Sequence, residues 1–576
     1  MIVLGLNVFH ADTSACLVKD GNLVSAAEEE RFTRIKHFTG FPFNAINFCL
    51  NENGINLSQI DFIAVNHNTK YNFKDRLYFG VKNFYKKNVI NRVNNLFVKR
   101  NINQFFLKNY KVDVSNKIKY VPHHLSHIAS TYYQCNAKKA LGLSFDGSGD
   151  FSTTEIYDIS ENEFNLLEKV LYPHSMGIYY QSLTQFLGFR NYGDEYKVMG
   201  LASYGKPIYT DRIKKIINED KNFFRLNLKY FDHYETTINY DFESGVPYFE
   251  DLFSNKLEHL FGRSRQINEP ISQLHKDIAS SLQKVMEEIV TNKLNAINKN
   301  KKYENLCISG GCAFNSVLNG ELYKNTDFKN IYSSPNVGDA GGSVGAALYI
   351  SKKNGENINK NVKIFLGPKY DDHYVSEQII NKKNKGNFFN YKYFEDFKKL
   401  TNEVATYIAK KKIVGWFQDR MEWGPRALGN RSILADPRDK KIRDLINIKI
   451  KLREEFRPFA PSILVEKVED YFEFNGEAPF MGFVYKARQK AITEVPAVVH
   501  VDNTSRVQTV SEQINFKFYT LIKSFHSQTG VPMILNTSLN VNEPICESPE
   551  NALEVFLKTS MDVLVLQNWI LTKKDV

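Results

Sequence analysis

The chain of 576 residues is longer than one hydrophobic core usually supports, so its length favours two to four domains. Its composition (43% hydrophobic and 24% charged residues) is typical of a soluble globular protein, and its net charge of +11 raises the question of a nucleic-acid partner. The six cysteines are scattered and contain no C-x-x-C pair, which argues against a zinc ribbon or a disulfide scaffold and favours a reducing, cytoplasmic setting.

The N-terminal residues do not have the pattern of a targeting segment. MIVLGLNVFHAD lacks a basic region and becomes polar by Asn7, so no signal peptide is expected. No apolar run in the chain approaches the ~20 residues that a membrane helix needs. We therefore expect no membrane span.

The first predicted element is a β-hairpin. IVLGLNV indicates a strand, and HADTSACLVKDGNLVSAAEEE continues as a polar turn and a hairpin around Asp20 and Gly21. His10 lies between this strand and a run of small residues. It can cap the turn, or it can act as a general base, because an unperturbed pKa of ~6.5 suits removal of a hydroxyl proton.

The positive charge is concentrated in one segment, residues 70–119. It holds 13 Lys and Arg against two Asp, a local charge that equals the net charge of the whole chain. Aromatic residues recur in it at helical spacing, which predicts a basic helical insertion. Such a segment can be a subdomain with its own small aromatic core, an anion-attracting face beside an active site, or a surface for nucleic acid or membrane. Since the remainder of the chain is balanced, no nucleic-acid partner is expected.

Three histidines follow within VPHHLSHIAS, residues 121–130. If the stretch is helical, His123 and His127 project from nearly the same face, because they are four residues apart. Imidazole is a common metal ligand and this spacing can direct two nitrogens at one point, although lone histidines are more often structural. A metal would need further ligands.

Strands that end in Asp and small residues could supply those ligands. ALGLSFDGSGDFSTTEIYDI (140–159) repeats the strand, turn and strand plan of the N-terminus, and SPNVGDAGGSVGAALYI (334–350) is a Gly-rich turn that opens a helix. Asp146 and Asp339 would each lie at the end of a buried strand; the alternative for Asp146 is a turn-capping role. A His-His-Asp-Asp set suits Fe(II), Mn(II) or Zn(II).

The order of these elements predicts the fold class. Hairpins with Asp and small residues, and Gly-rich turns at helix starts such as ENLCISGGCAFNSVLNGEL (304–322), suit phosphate binding. Together they resemble the actin-like ATPase fold, a duplicated ribonuclease-H-like α/β (α+β) architecture. We predict an actin-like domain over residues 1–355, a polar boundary at 352–365, and a second α/β domain over residues 365–576.

The second domain is rich in arginines at loop-like positions, several of them next to Gly or Pro. Planar guanidinium groups suit bidentate phosphate recognition. The candidates are Arg426, Arg431, Arg438, Arg453, Arg457 and Arg506. NTSLN (536–540) adds hydroxyl and amide donors typical of a site for a phosphate or acyl group.

Practically end to end, the chain resembles the O-carbamoyltransferases of the nodulation-factor and antibiotic-tailoring type. The resemblance rests on NVFHADTSA, EEERFTRIKH, HHLSH, SFDGSGD, YKVMGLASYG, SGGCAFN, SPNVGDAGGSVGAAL, WGPRALGNRSILADPR, REEFRPFAPS, HVDNTSRVQTV and NTSLN, in the order of that family. It implies an N-terminal actin-like domain similar to the threonylcarbamoyl-transfer enzymes of tRNA modification. The C-terminal domain would resemble the one that makes carbamoyl or threonylcarbamoyl adenylate from ATP.

The reaction implied by the resemblance has two steps. Carbamoyl phosphate and ATP, with Mg²⁺, form carbamoyl adenylate in the C-terminal domain. The N-terminal metal site then transfers the carbamoyl group to an acceptor hydroxyl on a sugar, a glycan or a natural product. A homodimer is a candidate assembly. The identity of the acceptor is not predicted.

The resemblance also assigns residues in the N-terminal domain. The implied metal is Fe(II), with zinc or manganese as alternatives, and its ligands are His123, His127, Asp146 and Asp339. His10 is implied as the base that activates the acceptor hydroxyl. The implied contacts to carbamoyl adenylate are Lys36, Gly177, Gly311 and Asn315. Many relatives have His-Asp after the first strand, whereas here Ala11 intervenes, so the resemblance gives Asp12 no role.

In the C-terminal domain the resemblance assigns the site for ATP and carbamoyl phosphate. The implied contacts are Arg426, Lys451, Arg457, Arg506, Asn536 and Ser538. Two alternatives share part of the pattern. A threonylcarbamoyl-type tRNA-modifying enzyme would contain both domain types, normally as separate proteins, and an actin-like sugar kinase or ATPase would share only the N-terminal fold.

Overall fold

The chain folds into two α/β units, Met1–Lys363 and Ile364–Val576, in a computed structural model. The structure describes residues 1–83, 101–235, 238–240 and 245–573. Among these residues, no helix combines the length and the apolar character that crossing a bilayer requires. All six cysteines are free thiols.

The N-terminal unit contains two five-stranded sheets. The first sheet is formed by β1 (Ile2–Asn7), β2 (Ser14–Lys19), β3 (Asn22–Glu28), β4 (Phe62–Val65) and β5 (Ile118–Tyr120), in the order β3-β2-β1-β4-β5. The next strands are β6 (Lys139–Gly149), β7 (Ser152–Ser160) and β8 (Glu163–Leu171), followed by the two short hairpins β9 (Ile217–Asp220) with β10 (Phe223–Leu226) and β11 (Ile238–Tyr240) with β12 (Pro247–Phe249). With β13 (Asn305–Ser309) and β14 (Asn330–Tyr332), strands β6 to β8 form the second sheet, in the order β14-β13-β6-β7-β8.

Both sheets have the same topology. In each, three antiparallel strands are followed by two strands that run parallel to the first of the three. This repetition confirms the predicted duplicated ribonuclease-H-like, actin-like fold. The hairpin predicted around Asp20 and Gly21 is also present: both residues have positive φ, 49° and 71°, as a two-residue turn between twisted strands requires.

Helices surround these sheets. In chain order they are α1 (Glu30–Thr33), α2 (Phe43–Glu52), α3 (Phe73–Lys82), α4 (Ile102–Tyr110), α5 (His123–Tyr132), α6 (Met176–Phe186), α7 (Glu195–Ala202), α8 (Thr210–Ile213), α9 (Glu258–Phe261), α10 (Gln273–Lys301), α11 (Ser316–Asn325) and α12 (Asp339–Lys353). The residues 121–130 are therefore helical from His123 onward, as the spacing of their histidines predicts.

The C-terminal unit is built on one mixed sheet. Its strands are β15 (Asn390–Tyr393), β16 (Val414–Phe417), β17 (Arg431–Ala435), β18 (Ala460–Leu464), β19 (Val484–Lys486), β20 (Thr504–Arg506), β21 (Gln508–Val510), β22 (Met533–Ser538), β23 (Val563–Leu566) and β24 (Trp569–Thr572). Eight form a sheet in the order β15-β24-β23-β16-β17-β22-β18-β21, and β19 pairs with β20. The helices are α13 (Asp372–Asn384), α14 (Phe397–Ala409), α15 (Lys441–Ile446), α16 (Val468–Tyr471), α17 (Gln489–Glu494), α18 (Phe516–Thr529) and α19 (Pro549–Lys558).

The described parts of the basic segment do not match one of the three alternatives, a subdomain with its own small aromatic core. Helix α4 buries Ile102 and Phe106 in the core of the first sheet, and β5 belongs to that sheet. Helix α3 instead leaves large apolar side chains exposed, among them Leu77 (56%) and Tyr78 (72%). Residues 84–100, which carry part of the predicted charge, lie outside the described residues.

Helix α12 lies unusually close to its neighbours in the N-terminal unit. A Cβ at Gly345 would lie 1.7 Å from the carbonyl oxygen of Ser126 in α5, and a Cβ at Gly5 in β1 would lie 2.2 Å from the carbonyl oxygen of Ser343. Any side chain at either position would therefore push α12 away. Gly345 thus sets the distance between α12 and α5, the two helices that carry Asp339, His123 and His127, and Gly5 sets the distance between α12 and β1.

Gly345→Ala should consequently destabilise the N-terminal unit. Overpacking typically costs about 1–3 kcal/mol, and here the clash is with backbone that cannot rotate away. Gly80→Ala is the matched control, because a Cβ at this position in α3 would meet no atom of the described residues within 4 Å. It should leave stability unchanged or raise it by up to ~1 kcal/mol. Denaturant or calorimetric unfolding measures both, and equal midpoints for the two variants would contradict the close-approach argument.

Candidate metal centre

Two histidines and two aspartates converge in the N-terminal unit. Helix α5 places His123 and His127 one turn apart on one face, with their Nε2 atoms 3.0 Å from each other. Asp146 belongs to β6, at the point where the regular pairing with β7 is interrupted, and Asp339 is the first residue of α12. One potential ligand atom from each of the four residues lies within 4.8 Å of all the others.

The individual distances are consistent with a shared centre. The Nε2 atom of His127 is 3.2 Å from Asp146 Oδ2 and 3.4 Å from Asp339 Oδ1. The Nε2 atom of His123 is 3.4 Å from Asp339 Oδ1 and 3.8 Å from Asp146 Oδ2. The sequence interpretation of Asp339 was wrong in one respect: it opens a helix instead of ending a strand.

Burial makes the protonation state of this group unusual. Desolvation and the neighbouring His127 lower the pKa of His123 to about 3. Burial also disfavours charge on His127, but hydrogen bonds and attraction to Asp146 and Asp339 outweigh it and raise the pKa of His127 to about 9. The imidazoles hold the pKa of Asp146 well below its ordinary value, against the opposing effect of burial. In the favoured state both aspartates are therefore ionised, His127 is protonated and His123 is neutral.

The residues fit a metal ion. Asp339 Oδ1 is buried and faces both imidazole nitrogens, with the Nε2 atoms of His123 and His127 each 3.4 Å away. Two nitrogen and two oxygen ligands suit Fe(II), Mn(II) or Zn(II), and the set has no thiolate that would favour a softer ion. A divalent cation would supply the positive charge that the cluster needs.

His10 lies at the edge of the same cluster. Its Nδ1 atom is 2.6 Å from Asp339 Oδ2, and its ring centroid is 5.5 Å from that of His123. The turn that carries it is fixed by Thr13, whose hydroxyl donates to the carbonyl oxygen of His10 at 3.0 Å. Asn7 also fixes the turn, because its side-chain amide donates to the carbonyl oxygens of Ala11 and Asp12, while the His10 ring contacts Asp339.

The third histidine of the stretch is structural. His124 is buried, and its Nδ1 lies 2.7 Å from the hydroxyl of Ser144 in β6. It points away from the pair because it is offset by about 100° around the helix. Only two of the three histidines thus take part in the cluster.

Both glycines assigned by resemblance border Asp146. The amide of Gly311 donates to Asp146 Oδ2 at 3.1 Å, and a Cβ at Gly177 would lie 2.8 Å from the carbonyl carbon of Asp146. Asn315 is farther back: it caps α11 through the amide of Leu318 and exchanges hydrogen bonds with Gln283.

Lys36 is exposed and precedes His37, which sequence reasoning had not selected. His37 Nδ1 lies 2.7 Å from Asp12 Oδ1, and the backbone amide of His37 donates to Glu30 at 2.7 Å. Burial disfavours the imidazolium, but attraction to Asp12 outweighs it and raises the pKa of His37 to about 9. The side chains of Asp12, Glu30 and His37 are also close enough together to share a metal ion. Their polar groups are instead paired within the protein, because His37 bonds to Asp12 and Glu30 accepts hydrogen bonds from His37 and Arg31.

Glu195 was also missed. It is the first residue of α7, and burial raises the pKa of its carboxyl to about 7. The signal was available, since Glu195 directly precedes the YKVMGLASYG motif. A carboxyl group with a pKa near neutrality is a frequent feature of functional sites.

The C-terminal unit contains a separate cationic cluster. Arg506, at the end of β20, is surrounded by guanidinium groups, and burial together with repulsion from Arg426, Arg453 and Arg457 holds the pKa of Arg506 well below its ordinary value. Its Nε atom is buried and has no hydrogen-bond acceptor among the described residues. Such a concentration of positive charge indicates an anion site, most simply for phosphate groups.

The other assigned residues of this unit lie on or near β22. Lys451 is buried, and its Nζ donates to the side chain of Asn540 at 2.7 Å and to the hydroxyl of Ser538 at 3.3 Å. Asn536 donates to the carbonyl oxygen of Ala427, the neighbour of Arg426, at 3.2 Å. The structure thereby links the NTSLN stretch both to Lys451 and to the arginine cluster.

Two of the candidate arginines have other roles. Arg431 is fully buried, stacks on Phe417 at 3.6 Å and donates to carbonyl oxygens of Gln418 and Pro368, so it is a core residue and not a phosphate ligand. Arg438 is paired with Asp436 at 2.6 Å. Sequence alone could not separate these two from the others, because Arg426, Arg431 and Arg438 all occur in one Gly- and Pro-containing stretch.

Comparison with known proteins identifies the family. Residues 2–348 match the model described as carbamoyltransferase N-terminus, and residues 405–573 match carbamoyltransferase C-terminus. The chain is 36% identical to an uncharacterized protein of Synechocystis sp., over 99% of this chain and 96% of that protein. It is also similar to nodulation protein NolNO of Sinorhizobium fredii (35% identity, 99% of this chain, 80% of that protein) and to nodulation protein NolO of Bradyrhizobium diazoefficiens (33%, 78% and 79%). The chain therefore belongs to the carbamoyltransferase family and is an enzyme that transfers carbamoyl groups.

Proposed function

We propose that the enzyme is an ATP-dependent O-carbamoyltransferase with a metal site in its N-terminal unit. The observation that carries this proposal is the convergence of His123, His127, Asp146 and Asp339 on one buried point. A sugar kinase or simple ATPase of the same fold would not need such a donor set. The acceptor would be a hydroxyl group of a sugar, a glycan or a natural product.

The C-terminal unit would carry out the first half-reaction. Water, with Mg²⁺ present, would cleave carbamoyl phosphate into phosphate and carbamate. A carbamate oxygen would then bond to the α-phosphorus of ATP, and pyrophosphate would leave as carbamoyl adenylate forms. The arginine cluster supports this role. Its guanidinium groups repel one another, and a bound polyanion such as ATP would relieve that repulsion. The cluster consists of Arg426, Arg453, Arg457 and Arg506. Lys451, Asn536 and Ser538 lie close enough to extend this site.

The N-terminal unit would carry out the transfer. When bound, the metal, Fe(II) or alternatively Zn(II) or Mn(II), would supply a Lewis acid that polarises the carbamoyl group. His10 would take the proton of the acceptor hydroxyl as the acceptor oxygen bonds to the carbamoyl carbon. The bond from that carbon to the phosphate oxygen would break, and AMP would leave with the electron pair.

Asp339 would couple His10 to the metal site. Because one of its oxygens faces the imidazole pair and the other lies 2.6 Å from His10 Nδ1, it can orient the base while serving as a ligand. His10 would then accept the proton on Nε2. Gly177 and Gly311, which border Asp146, together with Lys36 and Asn315, would contact carbamoyl adenylate. A cytoplasmic location and a homodimer stay predictions.

The metal site can be tested at Gly149, where a side chain would collide with one of the proposed ligands. A Cβ at Gly149 would lie 1.9 Å from the His123 ring, so Gly149→Ala should displace that ligand. Loss of one ligand position should weaken metal binding at least ~10-fold, as measured by metal content after dialysis against a chelator. Gly147→Ala, two residues away, is the matched control, because its Cβ would lie more than 4 Å from every atom in the described part of the chain. Equal metal retention in the two variants would contradict the assignment.

The two half-reactions can be separated with two variants. Arg506→Gln should lower pyrophosphate release in the presence of carbamoyl phosphate by ~10²-fold or more, while Arg438→Gln, which removes an arginine paired elsewhere, should not. His10→Asn should leave pyrophosphate release intact and lower acceptor carbamoylation by ~10²–10⁴-fold. Supplying preformed carbamoyl adenylate should restore acceptor carbamoylation by Arg506→Gln, which fails to make this intermediate. It should not restore carbamoylation by His10→Asn, which fails to use it. A normal rate of pyrophosphate release by Arg506→Gln would refute the role of the C-terminal unit.

A further inference from the structure

The helix that carries the histidine pair begins without a cap of its own. Helix α5 starts at His123 after Pro122, a residue that has no side-chain group able to accept the first amide hydrogens. Instead, Asp150 supplies the acceptor from a distant part of the chain. Its Oδ2 atom accepts the backbone amide of His123 at 2.9 Å and that of Asn68 at 2.7 Å.

A carboxylate in this place has two effects on His123. It satisfies an amide that would otherwise lack a partner, and its negative charge interacts favourably with the positive end of the helix dipole. Because the bond is made to His123 itself, it fixes the backbone from which one of the four converging side chains projects. Asp150 has a left-handed backbone, with φ of 50°, so it is held in a conformation that a non-glycine residue seldom adopts.

The basic segment holds Asp150 in place. Arg76 of α3 donates a hydrogen bond from Nη2 to Asp150 Oδ1 at 3.3 Å. Its Nη1 donates to the carbonyl oxygen of Thr69 at 3.1 Å. Asn72, which precedes α3, donates to the carbonyl oxygen of Asp150 at 3.1 Å. Phe79 of the same helix packs edge-on against Phe151, the next residue after Asp150.

These contacts account for the orientation of α3. The helix turns Arg76 and Phe79 toward the turn that contains Asp150, and it leaves Leu77 and Tyr78 exposed. The Arg76 side chain is 16% exposed and that of Asp150 only 6%, so solvent screens this ion pair less than an ordinary surface pair. Arg76, a cation of the basic segment, is thus connected to His123 through the carboxylate of Asp150.

We propose that Asp150 is a positioning residue for the metal centre, and that Arg76 of the basic segment holds Asp150 in its capping position. This inference rests on the metal site proposed above. Asp150 contacts no reacting group and acts through His123. A shift of one ligand by a few tenths of an ångström weakens binding measurably, since partners that orient metal ligands are commonly worth ~10–100-fold in affinity.

The test uses Co²⁺ as a probe ion on the metal-depleted full-length protein, because its visible absorption reports ligand geometry directly. Asp150→Asn keeps an acceptor but removes the charge, and it should weaken Co²⁺ binding ~10–100-fold and alter the absorption bands. Arg76→Gln should give a smaller loss in the same direction, about 3- to 10-fold. In the metal-free state, hydrogen exchange of the His123 amide should be faster in both variants.

Asp75→Asn is the matched control. Asp75 lies beside Arg76 in α3, but it pairs with Lys169, 3.6 Å away, and not with the Asp150 turn. Its Co²⁺ affinity and spectrum should match those of the wild type. If Asp150→Asn does not fold, Arg76→Gln decides the question alone.

The outcomes are distinguishable. Wild-type affinity and spectrum in Asp150→Asn, or in Arg76→Gln where the first variant is unfolded, would overturn the positioning role and leave the metal site standing. A wild-type protein that binds no Co²⁺ would refute the metal site and this inference together. A loss shared equally by Asp75→Asn would also overturn it, because the effect would then belong to α3 as a whole.

Discussion

Two carboxylates and two imidazoles share a buried space in the N-terminal unit, and the surrounding elements depend on the charge balance of this group. Buried like charges are unfavourable unless a cation lies between them. Without a metal, a proton on His127 fulfils that role, which is why its pKa rises to about 9 while that of His123 falls to about 3. A divalent ion would displace this proton, so metal binding and proton release would be linked.

The backbone brings these groups together by close approach. The ligands come from α5, β6 and the start of α12, elements separated by up to about two hundred residues in the chain. Gly345 allows α12 to contact α5, and Gly149 leaves room for the ring of His123. The same arrangement gives Asp339 two neighbours, the imidazole pair on one oxygen and His10 on the other, which joins the proposed metal site to the proposed base.

The sequence predicted those features that depend on local spacing. Helical periodicity placed His123 and His127 on one face, and the repeated strand-turn-strand pattern predicted the duplicated sheet topology. It failed where tertiary contacts decide. Arg431 resembles the other arginines in its local sequence but is buried on Phe417, and α3 exposes apolar side chains because its inward face is held by Arg76 and Phe79. The pairing of Asp12 with His37 spans 25 residues and depends on left-handed backbone at both, which no local pattern encodes.

We propose that the four donor atoms hold one metal ion. Anomalous diffraction from crystals of the protein, recorded above and below the absorption edge of iron and then of zinc and manganese, tests it most directly. A single strong peak is expected at ~2.0–2.3 Å from Nε2 of His123 and His127 and from an oxygen of Asp146 and Asp339. Crystals of metal-replete, catalytically active protein with no peak at this position would contradict it.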